Sequence, residues 1–168
     1  MIVNRNSLLA AQPIKNMRIM KHQAHGTSYG LTEAGYDIRI QETITFNYHE
    51  TRPWVTINDP RNRYEGRGKR GRFILASSME MFQMPLDLVG TVSDKSSWAR
   101  RGVSVFNTVI EPGWNGILTL ELVFHGSEDL TIPAGSGIAQ VLFARLQCTG
   151  DYGNGKYQDA RGIEEAKF

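Results

Sequence analysis

The sequence predicts an all-β domain, a sandwich or a barrel with short helical elements. Two observations carry this prediction. Short stretches in which apolar and polar residues alternate recur at close spacing along most of the chain. Turn residues separate these stretches, since the 168 residues include 17 glycines and 6 prolines. The length fits one compact domain over residues 1–168.

The elements are predicted in order from the amino terminus. Residues 1–11 favour one short helix that Pro13 would end, and the rest of the N-terminal third is polar and hard to assign. A loop dense in Pro, Gly, Asn and Arg is expected at 49–71. The tail 149–168 lacks core periodicity, so we expect it to be mobile without ligand and to pack no core. Strands are predicted at 36–48, 72–85, 87–94, 102–110, 116–126, 129–137 and 138–148.

Composition argues against several classes of function. The formal net charge of +2 is too small to indicate nucleic acid, and the basic run 60–72 is interpreted as a solvated loop in preference to a nucleic-acid contact. The single cysteine, Cys148, cannot form an intramolecular disulfide or supply the PCxxC pair of zinc deaminases. We expect a cytoplasmic protein without a membrane span or signal peptide, and no metal role for His22 and His25.

Glu121 lies in the middle of the predicted strand 116–126, between Leu120 and Leu122. Strand alternation places its side chain on the opposite face from theirs. A carboxylate there is either solvated on a half-exposed sheet or paired and functional. The pattern alone favours the solvated face, so both interpretations stay open at this point.

Two further segments carry polar chemistry. The stretch DKSSWARRG (94–102) gathers a lysine, two hydroxyls and two arginines, which suits either a phosphate chain or a solvated basic turn. The stretch IEPGWNG (110–116) has a Pro-Gly turn beside Trp114. This indole either caps the core or offers a flat wall to a sugar or base.

These stretches resemble the motifs of the dCTP deaminase family, part of the trimeric dUTPase-like superfamily. DKSSWARRG resembles the family's GKSSxAR(x)G, and IEPGWNGILTLEL resembles its EPxWxGxxTLE. Four further family segments are similar to AGYDIRI, FILASSMEMFQMP, SGIAQVLFARL and GKYQ. The matches run in family order across roughly 34–162, while residues 1–30 match only loosely.

The resemblance implies a distorted β-barrel or jelly-roll subunit of the dUTPase-like type, and a homotrimer with active sites between subunits. It implies hydrolytic deamination of dCTP to dUTP and ammonia, feeding dTTP synthesis, without zinc and with Mg²⁺ accompanying the triphosphate. dTTP is the corresponding candidate for a feedback inhibitor. The implied catalytic residues are Glu121 as general acid and base, Arg100 as its cationic neighbour, and Ser96. The implied substrate-binding residues are Lys95, Ser96, Ser97, Arg100, Glu111, Trp114, Thr119, Leu120, Tyr152, Lys156 and Gln158.

Some alternatives stay open. Val109 stands where the enterobacterial type has an arginine, and Ala160 replaces a usual glutamine, which affects details of phosphate contact. A bifunctional enzyme that continues from dUTP to dUMP and pyrophosphate is the nearest rival. A simple dUTPase is disfavoured because it needs an aspartate where this chain has Glu111. Retention of both Arg100 and Glu121 argues against a non-catalytic nucleotide-binding relative.

Deamination at C4 of cytosine needs a nucleophilic water and protonation of ring N3, then of the departing amine. One carboxylate can shuttle these protons if its pKa lies nearer neutrality than the usual value of about 4.3. We therefore expect burial to raise the pKa of Glu121, and nearby Arg100 to oppose that rise.

Overall fold

The computed structural model of the protein describes residues 1–61, 67–106 and 108–168. In these ranges the chain forms fourteen strands and two short helices, which confirms the prediction of an all-β domain with short helical elements. No helix in these ranges is long and apolar enough to cross a membrane. The elements are β1 (Ile2–Val3), α1 (Arg5–Ala11), β2 (Lys21–Ala24), β3 (Thr27–Leu31), β4 (Tyr36–Arg39), β5 (Thr43–Asn47), β6 (Trp54–Asn58), β7 (Arg67–Arg70), β8 (Phe73–Gln83), β9 (Leu88–Asp94), α2 (Ser96–Ala99), β10 (Val103–Val105), β11 (Val109–Ile110), β12 (Asn115–Phe124), β13 (Leu130–Ile132) and β14 (Gly137–Arg145).

The described strands form three sheets, and their apolar faces share one core. The largest sheet has the order β11-β9-β14-β4-β3-β2, with β1 also paired to β14; the others run β10-β12-β8 and β13-β5-β6-β7. Across the core, the rings of Phe46 on β5 and Phe124 on β12 stack with their centroids 5.0 Å apart. Tyr36, Phe82 and Phe143 are fully buried in the same core. Each such side chain contributes about 1.5–3 kcal/mol by leaving water.

Residues 36–48 form two strands where one was predicted. Between β4 and β5 the side chain of Glu42 turns inward, and it accepts hydrogen bonds from Ser77 N at 2.8 Å and Ser77 Oγ at 2.5 Å. The chain passes here from the seven-stranded sheet to the four-stranded one. The predicted strand 102–110 is likewise divided into β10 and β11, which pair with different sheets.

The prediction of a loop at 49–71 is wrong, because this segment contributes β6 and β7. Val55 and Ile57 alternate into the core from β6, in a stretch flanked by loop-forming residues that concealed the pattern. β7 is exposed along its length at the edge of its described sheet, so it has no apolar alternation to detect. Part of the basic run 60–72, at 62–66, lies outside the described residues.

The N-terminal third is more ordered than its sequence indicates. The helix predicted over 1–11 begins at Arg5, because Ile2–Val3 pairs with β14. It ends at Gln12, whose left-handed backbone and N–H bond to Leu8 O precede Pro13. β2 and β3 then form a hairpin in which His22 stacks on Tyr29.

Candidate active site

Glu121 lies on β12, opposite Leu75 on β8. Its neighbours Leu120 and Leu122 are fully buried in the core, as strand alternation predicted, and Glu121 faces the other way and is half-buried. The register between β12 and β8 shifts between Ile117 and Thr119. This bulge interrupts the alternation, so Leu118 is half-buried instead of fully buried as its predicted face would require.

The bulge is stabilised by side chains that sequence reasoning did not identify. Leu118 N donates to Ser78 Oγ at 3.0 Å, and Ser78 Oγ donates to Glu80 O at 2.8 Å. Next to it, Ser77 N donates to the buried carboxylate of Glu42. A short polar residue inside an otherwise apolar strand is the signal that could have found this support.

A cavity of about 670 Å³ opens beside β12 and has Glu121 in its wall. It is bounded by β12, the start of β8, the turn before β12, and the tail. Four carboxylates line it, and the described lining side chains include no cation. The carboxylates belong to Glu111, Glu121, Glu164 and Glu165.

Burial raises the pKa of Glu121 above the usual glutamate value, because the cavity wall removes water from the charged form. This is the direction that a proton shuttle needs at neutral pH. The backbone around it is fixed from the opposite edge of β12, where Phe106 N donates to Glu121 O at 2.9 Å. Glu121 therefore lies in the wall of a cavity and has a raised pKa.

The turn before β12 places Trp114 at the boundary between core and cavity. Gly113 adopts a positive φ of 77°, which the tight Pro112-Gly113 turn requires. Trp114 is 7% exposed, and its ring lies 6.0 Å from that of Phe82, yet it also lines the cavity. The position of Trp114 is therefore compatible with core packing and also with a flat wall for a sugar or base.

The tail contacts the same turn and strand. Gln158 Oε1 accepts from Asn115 N at 2.8 Å, and Gln158 Nε2 donates to Gly113 O at 3.0 Å. Ile117 N donates to Ala160 O at 2.7 Å, and Ala160 is 6% exposed. The expectation that the tail packs no core is corrected by Ala160, which is small enough to pack against Gly116. Mobility of the tail without ligand stays a prediction.

Of the two remaining tail residues of the predicted site, Tyr152 lines the cavity and Lys156 does not. Tyr152 N donates to Pro112 O at 2.8 Å. Lys156 is exposed and donates from Nζ to Lys167 O at 3.0 Å. Further along, Glu164 N donates to Thr119 Oγ1 at 2.9 Å, so the end of the tail covers the strand that carries Glu121.

The segment 94–100 does not share this cavity within one chain. Ser96, Ser97 and Arg100 are exposed on and after α2. Arg100 lines a separate depression of about 330 Å³ that also includes Asp129. The structure therefore brings Glu111, Trp114, Thr119 and Tyr152 together with Glu121, but it does not bring Arg100 to them.

Mg²⁺ was expected on the triphosphate of the substrate and not in a protein cage. In the described ranges, no three Asp, Glu, His or Cys side chains are grouped so that they could hold a metal ion. The cavity carboxylates Glu111 and Glu121 offer oxygen atoms, the ligand type that Mg²⁺ prefers when it keeps waters and phosphates as its other ligands. The residues present are compatible with an ion brought by the substrate.

Comparison with known proteins places this chain in a family. The dCTP deaminase-like family matches residues 8–146. A dCTP deaminase of Campylobacter fetus subsp. fetus (strain 82-40) is 38% identical over 151 residues, covering 81% of this chain and 79% of that protein. A dCTP deaminase of Acidovorax sp. (strain JS42) is 36% identical over 152 residues, covering 81% and 78%.

Solved structures show the same fold at lower identity. EIAV dUTPase aligns with a TM-score of 0.51 and 16% identity, covering 87% of this chain and 95% of that one. The 2'-deoxycytidine 5'-triphosphate deaminase from Agrobacterium tumefaciens aligns with a TM-score of 0.55 and 17% identity, covering 86% of this chain and 47% of that one. The protein therefore has a dUTPase-like fold. Within that class, the chain belongs to the dCTP deaminase-like family, so the family recognised from the motifs and the conclusion that the chain is an enzyme are confirmed.

Proposed function

We propose that the protein deaminates dCTP hydrolytically to dUTP and ammonia, and so supplies dTTP synthesis in the cytoplasm. The observation that carries this proposal is Glu121, a carboxylate of raised pKa in the wall of a cavity. Support comes from the family match and from relatives that are named dCTP deaminases. The cavity is large enough for a nucleotide, since ligand pockets usually measure about 300–1,000 Å³.

Glu121 is the general acid and base in this proposal. Its carboxylate takes a proton from a water as the water oxygen bonds to C4, and it delivers a proton to ring N3. It then takes the proton of the new C4 hydroxyl and passes it to the amino group, so that the C4–N bond breaks as the C4 carbonyl forms, and ammonia leaves. General acid–base catalysis of this kind contributes about 10²–10⁴-fold. Thr119 and Leu120, beside Glu121 on β12, would offer backbone contacts to the base.

The cationic half of the site comes from a neighbouring copy in this proposal. A cavity with four carboxylates and no cation in its described lining repels a triphosphate. Arg100, with the hydroxyls of Ser96 and Ser97, is exposed and does not line this cavity, so it is free to meet the cavity of a second subunit. A homotrimer with sites between subunits would supply the cation that the cavity lacks and would give the exposed Arg100 a substrate to bind.

The remaining predicted substrate-binding residues take their proposed roles from where they lie around the cavity and in the tail. Glu111 and Trp114 would contact the deoxyribose, because both line the cavity near the turn before β12. Tyr152, Lys156 and Gln158 would close over the triphosphate with the tail, and the Mg²⁺ bound to that triphosphate would neutralise part of its charge. No zinc takes part, and dTTP is proposed as a competing ligand of the same site.

The test is incubation of the purified protein with dCTP and Mg²⁺, followed by chromatography of nucleotides and an ammonia assay. We expect dUTP and ammonia in equal amounts from the wild type, at least about 10²-fold less from Glu121→Gln, and unchanged binding of dCTP by that variant. Glu50→Gln, at an exposed carboxylate away from the cavity, is the matched control and should be fully active. Accumulation of dUMP and pyrophosphate would identify the bifunctional alternative. Unconverted dCTP, or an active Glu121→Gln, would contradict the proposal.

A further inference from the structure

The ammonium group of Lys95 is bound inside its own chain. Its Nζ lies 2.5 Å from Asp37 Oδ2 and donates to Ser28 Oγ at 2.9 Å. The side chains of Lys95 and Asp37 are 10% and 4% exposed, respectively. A lysine ammonium has three hydrogens, and these two partners use two of them. The adjacent carboxylate also neutralises the charge that a phosphate would need.

Asp37 is held in place by the surrounding sheet. Gln140 Nε2 donates to Asp37 Oδ1 at 3.3 Å and to Thr32 Oγ1 at 3.1 Å. Ser28 Oγ donates to Asp37 Oδ2 at 3.0 Å. The Asp37 carboxylate on β4 thus links β3 and β14 to Lys95, the residue that follows β9. It therefore fixes the start of the segment that begins at Lys95.

The segment after β9 has a buried side and an exposed side. On the buried side, Trp98 is 4% exposed and donates from Nε1 to Gly137 O at 2.7 Å. A Cβ at Gly137 would lie 1.9 Å from Ser28 O, so glycine is required for the close approach of β14 to β3. Ser96, Ser97 and Arg100 form the exposed side, and they are the groups that the proposed reaction uses.

We propose that Asp37 is a positioning residue, which binds Lys95 and thereby sets the orientation in which Ser96, Ser97 and Arg100 meet the substrate. This inference rests on the proposed function. Lys95 is then an anchor and not a ligand of the phosphates. Without the ion pair, Trp98 would remain the main buried anchor of the segment, and the exposed groups would lose their fixed orientation. Catalytic groups must be held within about 0.5 Å of the productive geometry, so kcat should fall, and KM should rise as well because the same groups bind the triphosphate in the proposed function.

Kinetics of Asp37→Asn, Lys95→Met and the double variant test this inference. We expect each single variant to lower kcat at least about tenfold, because orientation carries much of the rate. KM for dCTP should rise to a similar extent in both single variants, and the double variant should be no slower than the singles, since both changes remove one contact. Asp87→Asn is the matched control, because Asp87 is partly exposed in the turn before β9 and pairs with Arg145 at the end of β14, and it should keep the wild-type kcat. A raised KM with intact kcat in Lys95→Met, beside a normal Asp37→Asn, would make Lys95 a phosphate ligand and overturn the inference.

Hydrogen exchange of the peptide 94–102 gives a second readout that does not depend on turnover. We expect faster exchange there in both single variants, with β12 unchanged, and equal exchange rates in variant and wild type would contradict the role of Asp37. If a single variant fails to fold because it leaves a buried charge unpaired, the double variant and Ser28→Ala carry the same test. A wild type that does not convert dCTP would contradict the proposed function alone, because the exchange result would still decide the role of Asp37.

Discussion

The indole Nε1 of Trp114 donates a hydrogen bond of 2.7 Å to the backbone carbonyl of Tyr157. Trp114 belongs to the turn before β12 and Tyr157 to the tail, and both line the cavity that contains Glu121. The bond therefore joins one wall of the candidate site to the segment that covers it. Because the ring also packs on Phe82, the tethering and packing contributions of Trp114 can be separated by substitution.

Trp114→Phe keeps a flat ring and removes the N–H donor. A single hydrogen bond contributes about 0.5–1.5 kcal/mol, so we expect faster hydrogen exchange across 152–160 and a modestly raised KM for dCTP, with CTP still rejected. Trp114→Ala should accept CTP more readily, because the wall beside the 2′ position is gone, and should lose about 3–5 kcal/mol of stability. If both variants reject CTP as the wild type does, the indole serves core packing and not sugar discrimination.

The pH dependence of the reaction should report the raised pKa of Glu121. Glu121 must be ionised to accept a proton from water, so kcat/KM falls as the pH drops through its pKa. Burial raises that pKa, and the acidic limb of the profile should therefore lie above the usual value of about 4.3. An acidic limb at or below the usual value would contradict this role.

Mixing two inactive variants tests whether neighbouring subunits share a site. Glu121 and Arg100 line different depressions of one chain. In a trimer assembled from Glu121→Gln and Arg100→Ala chains, one interface of each mixed trimer pairs a wild-type Glu121 with a wild-type Arg100. We expect each variant to be inactive alone and co-expressed chains to regain part of the activity, with a trimer mass by light scattering. Mixed trimers without activity, or an active monomer, would contradict the shared site.

The buried carboxyl group of Glu42 should make the stability of the protein depend on pH. Its burial raises its pKa, the hydrogen bonds from Ser77 oppose the rise, and nearby Asp59 adds to it. The folded protein then holds this proton more tightly than the unfolded chain, so stability falls as the pH rises from about 4.3 through the folded pKa. Glu42→Gln removes this titration, and its Tm relative to the wild type should rise across that window. Glu50→Gln, at an exposed position, should parallel the wild type, and a parallel Glu42→Gln curve would refute the prediction.

Local sequence patterns were sufficient to predict strands, the faces of their side chains and the family motifs, because these depend on residues close together in the chain. Period-two alternation predicted the long strand that carries Glu121 and placed Leu120 and Leu122 in the core, and the ordered motifs were sufficient to recognise the family. The same patterns missed β7, because an exposed edge strand has no apolar face. They also joined β4 to β5, because the buried Glu42 that separates them looks like any polar residue of a strand.

Only the tertiary structure shows the surroundings of Glu121 and Lys95, which their sequence patterns left open. Glu121 fits a solvated strand by its neighbours in sequence, yet β8 and the tail place it in a cavity wall where desolvation raises its pKa. Lys95 resembles a phosphate ligand by motif, yet it meets Asp37, 58 residues away in the chain. The physical reason is that burial and ion pairing depend on surroundings assembled from distant segments, whereas a sequence pattern records only what a residue's near neighbours require.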